Sequence, residues 1–168
     1  WDFSSNEEKT VPEQSDIQNA LEKVGYEKIQ IANKADGYEV CLTEGAQIDL
    51  GFIAKGYIAD KMKEYLIANN VEHGIINLGG NVLTIGTKPT GELFSIGIKK
   101  PFSEHGETIT DISVNDKSVV SSGIYERCFE SDGKLYHHIL NTKTGYPIEN
   151  DLYHVTIISD SSMQGDAL

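Results

Sequence analysis

The sequence has few cysteines, few basic residues and no long apolar run. Cys41 and Cys128 are its only cysteines. They show no metal-site spacing with each other or with a histidine, and whether they pair is left open. No run of about 20 apolar residues occurs, so no stretch of this chain is expected to span a membrane. Lys and Arg number 14 against 26 Asp and Glu, and the net charge of −12 argues against a nucleic-acid partner, because phosphates would remain unneutralised.

What is present is typical of a folded globular protein. The chain has 168 residues, of which 39% are hydrophobic and 24% charged, enough for one domain with a proper core. The acidic balance favours solubility and still permits binding of a small phosphorylated ligand by a few local donors. Because the sequence does not begin with Met and stops within an apparent helix, we expect it to be a piece of a longer protein.

Periodicity predicts a mixed architecture. Apolar spacing indicates helices over residues 13–24 and 54–69 and at the C-terminus. Between them lie short strands with turns near residues 36–37, 79–80 and 131–133. Few strands alternate strictly with helices, so we predict an α+β fold with a largely antiparallel sheet and packed helices.

The segment IDLGFIAKGYIADKM contains a lysine at an unfavourable place. Lys55 falls in the first turn of the predicted helix, where the dipole disfavours a cation by about 0.3–1 kcal/mol, and Gly56 behind it adds about 1 kcal/mol relative to Ala. A phosphate bound over this turn would reverse the effect on Lys55. Asp49 is placed to accept hydrogen bonds from a base or a sugar hydroxyl. The alternative is that Lys55 points to solvent or pairs with Asp49 or Asp60.

Two further motifs suit a ligand and also have plain structural explanations. Gly79 and Gly80 permit positive φ and a close backbone approach, although most such pairs are only hairpin turns. In the strand YHHIL, His137 shares a face with apolar residues and is expected to be partly buried. His138, on the other face, is a candidate acid, base or ligand contact. Neither histidine has the spacing of a zinc site.

The sequence predicts Asp166 at the beginning of the C-terminal helix. A carboxylate there interacts well with the helix dipole, which explains most such residues. It is also suited to Mg²⁺, which takes one or two carboxylates together with phosphate oxygens and waters.

Taken in order, the segments IDLGFIAKGYIAD, GIINLGGNV, SVVSSGIYERCFESDGKLYHHILNTKTGYPI and VTIIS…GDAL resemble the ApbE family, the FAD:protein FMN transferases once called thiamine-biosynthesis lipoproteins. The resemblance spans nearly the whole chain. It implies one ApbE-like, T-fold-related domain over residues 1–168, without the N-terminal segment and the C-terminal end of the family domain.

The resemblance also implies a chemistry. Family members bind FAD and a divalent cation, usually Mg²⁺, attach FMN by a phosphoester to a threonine of an acceptor flavoprotein, and release AMP. The positions that match FAD-binding or cleft-forming positions are Asp49, Lys55, Leu140, Gly79, Gly80 and Ser122. Phe52, through its backbone carbonyl, and Asp166 match metal-binding positions. Asp166 is the first candidate for accepting the threonine proton, and His138 is the second.

Two other functions stay open at this stage. One is a Mg²⁺-dependent FAD pyrophosphatase that gives FMN and AMP, and the other is a non-catalytic FAD-binding module. The resemblance further implies an extracytoplasmic protein, held at the cytoplasmic membrane as a lipoprotein through an anchor outside this chain.

Overall fold

Short strands joined by tight turns account for most of the regular structure. The computed structural model describes residues 1–5, 8–103 and 106–168. In chain order the elements are α1 (Gln14–Leu21), β1 (Ile29–Lys34), β2 (Gly37–Leu42), α2 (Ala54–Ala68), β3 (Gly74–Leu78), β4 (Asn81–Ile85), β5 (Phe94–Lys99), β6 (Thr108–Val114), β7 (Ser118–Gly123), β8 (Cys128–Ser131), β9 (Lys134–His137), β10 (His154–Ser159) and α3 (Ser162–Ala167). A single 3-10 turn, Tyr26–Lys28, precedes β1.

The chain divides into two compact units. The first consists of Trp1–Ile48 and Ile124–Asp151, and the second of Asp49–Gly123 and Leu152–Leu168. The prediction of one domain over residues 1–168 stays a prediction.

The first unit contains α1 and two antiparallel hairpins, β1–β2 and β8–β9. Asp132 and Gly133 both have positive φ, 52° and 71°, which suits the two-residue turn between β8 and β9. Aromatic rings pack beside this hairpin. Phe129 stacks on Tyr136 with 5.4 Å between the ring centroids, and the Trp1 centroid is 5.5 Å from that of Tyr136. These ring contacts give the unit a local apolar cluster.

The second unit is built on a four-stranded sheet in the order β10-β7-β4-β3, with all neighbours antiparallel. One face carries α2 and α3, and its core joins Ala59 of α2 to Ile76, Leu83 and Ile85 of the sheet. The opposite face packs through Val119 against the β5–β6 hairpin. Because side chains alternate along a strand, each of the central strands is covered on both sides.

The predicted fold class is confirmed. Every strand pair within the described ranges is antiparallel, and the helices α1, α2 and α3 accompany the sheets. None of the helices in those ranges has the length and apolarity needed to cross a membrane.

Candidate functional site

The turn into α2 is stabilised by Asp49. Its Oδ1 accepts a hydrogen bond from the Gly51 backbone N–H at 2.6 Å, and the Leu50 carbonyl accepts from the N–H groups of Ile53 and Ala54. Asp49 is exposed. An aspartate that bonds the N–H two residues ahead fixes a local turn, so this residue shapes the entrance of the helix and keeps its second carboxylate oxygen available.

Lys55 lies in the first turn of α2, as predicted, and it is exposed. Neither its ammonium nor its backbone N–H has a hydrogen-bond or ion-pair partner within the described part of the chain. Of the alternatives for Lys55, pairing with Asp49 or Asp60 is therefore not seen, whereas exposure to solvent is. A cation and a free N–H at a helix N-terminus together provide donors for a phosphate group.

Gly56 has a structural explanation that periodicity did not provide. A Cβ on Gly56 would lie 2.3 Å from the Ser162 carbonyl oxygen and 2.7 Å from the Met163 Cα. Glycine therefore allows α2 and α3 to approach at backbone distance. The start of α3 is also held by Asp60 of α2, whose carboxylate accepts from Ser161 Oγ at 2.7 Å and from the N–H groups of Ser162 and Met163 at 2.8 and 3.0 Å.

Asp166 is brought to the beginning of α2 by this packing. Its Oδ2 accepts from the Gly56 backbone N–H at 2.6 Å, and its Oδ1 accepts from Asn81 Nδ2 at 2.9 Å. The side chain is partly buried. The prediction that Asp166 begins the C-terminal helix is wrong, because α3 starts at Ser162 and Asp166 lies in its last turn. The dipole of α3 therefore does not favour this carboxylate, which instead meets the N-terminus of α2. Asp166 thus contacts the residue that directly follows Lys55 in the chain, although the two are far apart in sequence.

The glycine turn and Ser122 lie at the same end of the sheet. Gly79 and Gly80, with φ of 61° and 92°, form the two-residue turn between β3 and β4. Asn81, the first residue of β4, pairs with Val120 of β7, and the exposed Ser122 is two residues further along β7. A Cβ on either glycine would meet no atom within 4 Å, so the space above this turn is open.

The residues at this end suit a magnesium ion with few protein ligands. Each oxygen of Asp166 accepts one hydrogen bond and keeps further acceptor capacity, since a carboxylate has about four lone-pair sites. The Phe52 carbonyl receives no hydrogen bond from any described residue. No cluster of three or more His, Cys, Asp or Glu side chains is found in the described ranges. Mg²⁺ commonly relies on one or two carboxylates with substrate phosphates and water, so these residues fit it.

The histidine strand belongs to the first unit. His138 is partly buried, with its Nδ1 3.2 Å from the Arg127 carbonyl. Leu140 is partly buried and forms a bridge with Pro147. His137 is 6% exposed, its Nε2 lies 3.1 Å from the Ile148 carbonyl, and burial lowers the pKa of its imidazole. The sequence predicts a partly buried His137; the structure buries it almost completely, and its Nδ1 has no hydrogen-bond partner among the described residues.

Comparison with known proteins decides the family. The model of the ApbE family matches residues 1–168. The chain belongs to the ApbE family. The resemblance expected from the four motifs is thereby confirmed.

Curated relatives within the ApbE family carry a functional name. A FAD:protein FMN transferase of Klebsiella pneumoniae (strain 342) is 51% identical over 122 residues, which cover 73% of this chain and 37% of the relative. Another, from Treponema pallidum (strain Nichols), is 36% identical over 171 residues, covering 94% of this chain and 47% of the relative. This chain therefore spans about half the length, or less, of these relatives.

Solved ApbE structures have the same fold. The ApbE protein of Thermotoga maritima MSB8 superposes with a TM-score of 0.83 at 36% identity, over 94% of this chain and 50% of that one. The apo form of the flavinyl transferase ApbE of Pseudomonas stutzeri superposes with a TM-score of 0.78 at 30% identity. This match covers 94% of this chain and 48% of that one.

Two residues at this ApbE site were given no site role by the sequence. Asn81 contacts Asp166, and Asp60 holds the start of α3. Asn81 is a fully buried polar residue beginning the otherwise largely apolar strand NVLTI. That contrast is a weak indication in the sequence, and the partner that explains it is 85 positions away.

Proposed function

We propose that this protein transfers FMN from FAD to a threonine hydroxyl of an acceptor flavoprotein, in a Mg²⁺-dependent reaction that releases AMP. The observation that carries the proposal is the hydrogen bond between Asp166 and the Gly56 N–H. Through this bond Asp166 contacts the residue that follows Lys55, whose ammonium has no partner among the described residues. A carboxylate suited to magnesium and a cation suited to phosphate at the start of α2 support the proposal. Membership of the ApbE family and the names of the relatives support the choice of FAD over other diphosphates.

Lys55 binds the substrate in this proposal. Its ammonium and the free N–H of the first turn of α2 donate to the diphosphate, whose negative charge the helix dipole also favours. Asp49 accepts a hydrogen bond from a hydroxyl or base of FAD through the oxygen that does not bond Gly51. The Gly79–Gly80 turn admits the flat flavin near the backbone, and Ser122 contributes a further contact.

Asp166 and the Phe52 carbonyl would hold the magnesium ion. Bound Mg²⁺ supplies neutralisation of the diphosphate charge and of the charge that develops on the leaving AMP. In the transfer, the threonine oxygen bonds to the phosphorus of the FMN half, and the bond from that phosphorus to the bridging oxygen breaks. AMP departs with that electron pair. Asp166 accepts the hydroxyl proton.

The test uses an acceptor peptide that contains a threonine. With FAD and Mg²⁺, mass spectrometry is expected to find FMN attached to the peptide and AMP in equal amount. Covalent flavin that does not form would contradict the proposal. Free FMN and AMP, released rapidly without any acceptor, would instead indicate a pyrophosphatase. Binding of FAD without turnover would indicate a non-catalytic module.

A further inference from the structure

A line of buried polar side chains leads from the first residue of α3 to Asp166. Ser162 Oγ donates to Asn81 Oδ1 at 2.5 Å, and Asn81 Nδ2 donates to Asp166 Oδ1 at 2.9 Å. Asn81 and Ser162 are both 0% exposed. Asn81 of β4 thus links the first turn of α3 to its last turn, in the core of the second unit.

The chemistry of the groups fixes the direction of each bond. A carboxylate only accepts hydrogen bonds, so the end of the Asn81 amide that faces Asp166 must be its NH₂ group. The other end is then the carbonyl, and the Ser162 hydroxyl must donate to it. The amide therefore has one orientation, which Ser162 maintains.

An asparagine at this place is unfavourable for the core unless its hydrogen bonds are made. Its strand neighbours Val82 and Leu83 are apolar, and burial of an unpaired amide costs about 1–3 kcal/mol. A buried apolar residue would pack here without that requirement. The position is thus better explained by what the amide does for Asp166 than by core stability.

We propose that Asn81 is a positioning residue, which together with the Gly56 N–H sets the Asp166 carboxylate for a divalent cation. This inference rests on the proposed function. Asn81 holds Oδ1 and Gly56 holds Oδ2, so the carboxylate cannot rotate without losing a bond. The Gly56 hydrogen bond comes from the backbone. The hydrogen bond from Asn81 is therefore the one that a side-chain substitution can remove. Groups that orient a metal ligand commonly contribute about 10- to 100-fold in metal affinity.

The test measures Mn²⁺ affinity of the purified protein with saturating FAD, from the electron paramagnetic resonance signal of free Mn²⁺. Mn²⁺ prefers the same oxygen ligands as Mg²⁺. We expect N81L, which has a similar volume, to raise the Mn²⁺ dissociation constant about 10- to 100-fold. FAD affinity in EDTA should stay within about twofold, because the amide acts on the carboxylate and not on the flavin. S162A, which frees the amide to turn, should give a smaller loss of the same kind.

Thr84 provides the matched control. It is also on β4 and 0% exposed, and it bonds the backbone of Lys117 and not α3. T84V should leave Mn²⁺ affinity unchanged. A folded N81L with wild-type Mn²⁺ affinity would overturn the positioning role alone. If N81L does not fold, wild-type Mn²⁺ affinity in S162A overturns it. Absence of FAD-dependent Mn²⁺ binding by the wild-type protein would instead overturn the proposed function.

Discussion

At the scale of single residues, Asp166 has both a structural and a proposed chemical role. Its two oxygens accept from the Gly56 N–H and from Asn81, and both donors lie in buried residues. Removing the carboxylate therefore leaves donors without acceptors, whatever happens to the metal. A loss of activity in a truncated variant must accordingly be separated from a loss of stability.

Comparison of two Asp166 variants makes that separation. We expect D166A to lower the free energy of unfolding by about 1–3 kcal/mol, because the Asn81 and Gly56 donors lose their acceptor. D166N keeps the shape and one acceptor oxygen, so its stability should fall less. Both should reduce the rate of Mg²⁺-dependent FMN transfer by roughly 100-fold or more. Urea unfolding of the same samples measures their stability. D160N, at an exposed aspartate two residues before α3, should retain transfer. Wild-type rates in D166N would remove Asp166 from the reaction.

Lys55 offers a test of phosphate recognition. Because its ammonium has no partner in the described structure, K55M should change the unfolding free energy by less than about 0.5 kcal/mol. FAD affinity, measured by flavin fluorescence, should fall on the order of tenfold through loss of a charge-assisted hydrogen bond. Riboflavin affinity should not change, since riboflavin has no phosphate. K61M removes a cation further along α2 and serves as the control. Equal weakening of both flavins by K55M would argue against a phosphate contact.

At the scale of elements, the two buried residues of α2 are both small. Gly56 and Ala59 are buried against α3 and the sheet. The large apolar side chains Tyr57, Ile58 and Tyr65 are 51%, 48% and 69% exposed. The contact with α3 forms at backbone distance, and Asp60 then bonds the first N–H groups of α3. This close fit is what carries Asp166 to the start of α2.

Substitution of Gly56 tests that fit. G56A introduces a Cβ that would lie 2.3 Å from the Ser162 carbonyl oxygen, so α3 must shift away. We expect a loss of about 1–3 kcal/mol in urea unfolding, despite the gain of up to about 1 kcal/mol in helix propensity. Transfer activity should fall as well, because Asp166 moves with α3. Y65A, on the exposed face of the same helix, should stay within about 0.5 kcal/mol of wild type. An equally stable and active G56A would mean that the helices do not need this approach.

These elements show what the sequence could and could not predict. The hairpin turns at Gly79–Gly80 and Asp132–Gly133 were predictable, because turn residues and alternating strands are local patterns. The interface of α2 with α3 was not, since hydrophobic periodicity does not detect a contact made by a glycine. Lys55 and Asp166 were recognised as candidates from their expected places in helices and then from the motif resemblance, whereas Asn81 was missed because its partners Asp166 and Ser162 are far away in the sequence. Long-range polar contacts leave little trace in a single sequence.

At the scale of the whole molecule, acid stability depends on groups in both units. The first unit buries His137, whose Nδ1 has no hydrogen-bond partner in the described structure. The second unit pairs Lys63 with Asp116 at 2.7 Å. Burial lowers the pKa of His137, whereas the Lys63 ammonium lowers the pKa of Asp116. Because the two groups titrate in different ranges, they affect stability in separate pH windows.

His137 affects the free energy of unfolding in the upper pH window. Its pKa in the folded state lies below the ordinary value of 6.5, so the unfolded chain takes up the proton first as the pH falls. Stability is therefore complete above pH 6.5 and decreases below it, by at most about 1.4 kcal/mol per pH unit for one proton. H137Q keeps a donor for the Ile148 carbonyl and does not titrate. Urea unfolding between pH 8 and 5 should show a smaller slope in H137Q, and an unchanged slope would exclude His137 as the cause.

Asp116 affects stability in the lower pH window, and its pKa is lowered by a neighbouring cation instead of by burial. Its lowered pKa means that the folded state holds the carboxylate ionised beside Lys63, while the unfolded chain begins to protonate near pH 4. This contribution is present above that pH and is lost as the pH falls through the folded pKa. Asp116 is more than half exposed, so the effect should be small and should decrease with salt.

D116N is expected to reduce the loss of stability below pH 4 and leave the slope between pH 8 and 5 unchanged. H137Q should do the reverse, so each variant is the control for the other. If both altered the same window, the separation of the two titrations would be wrong.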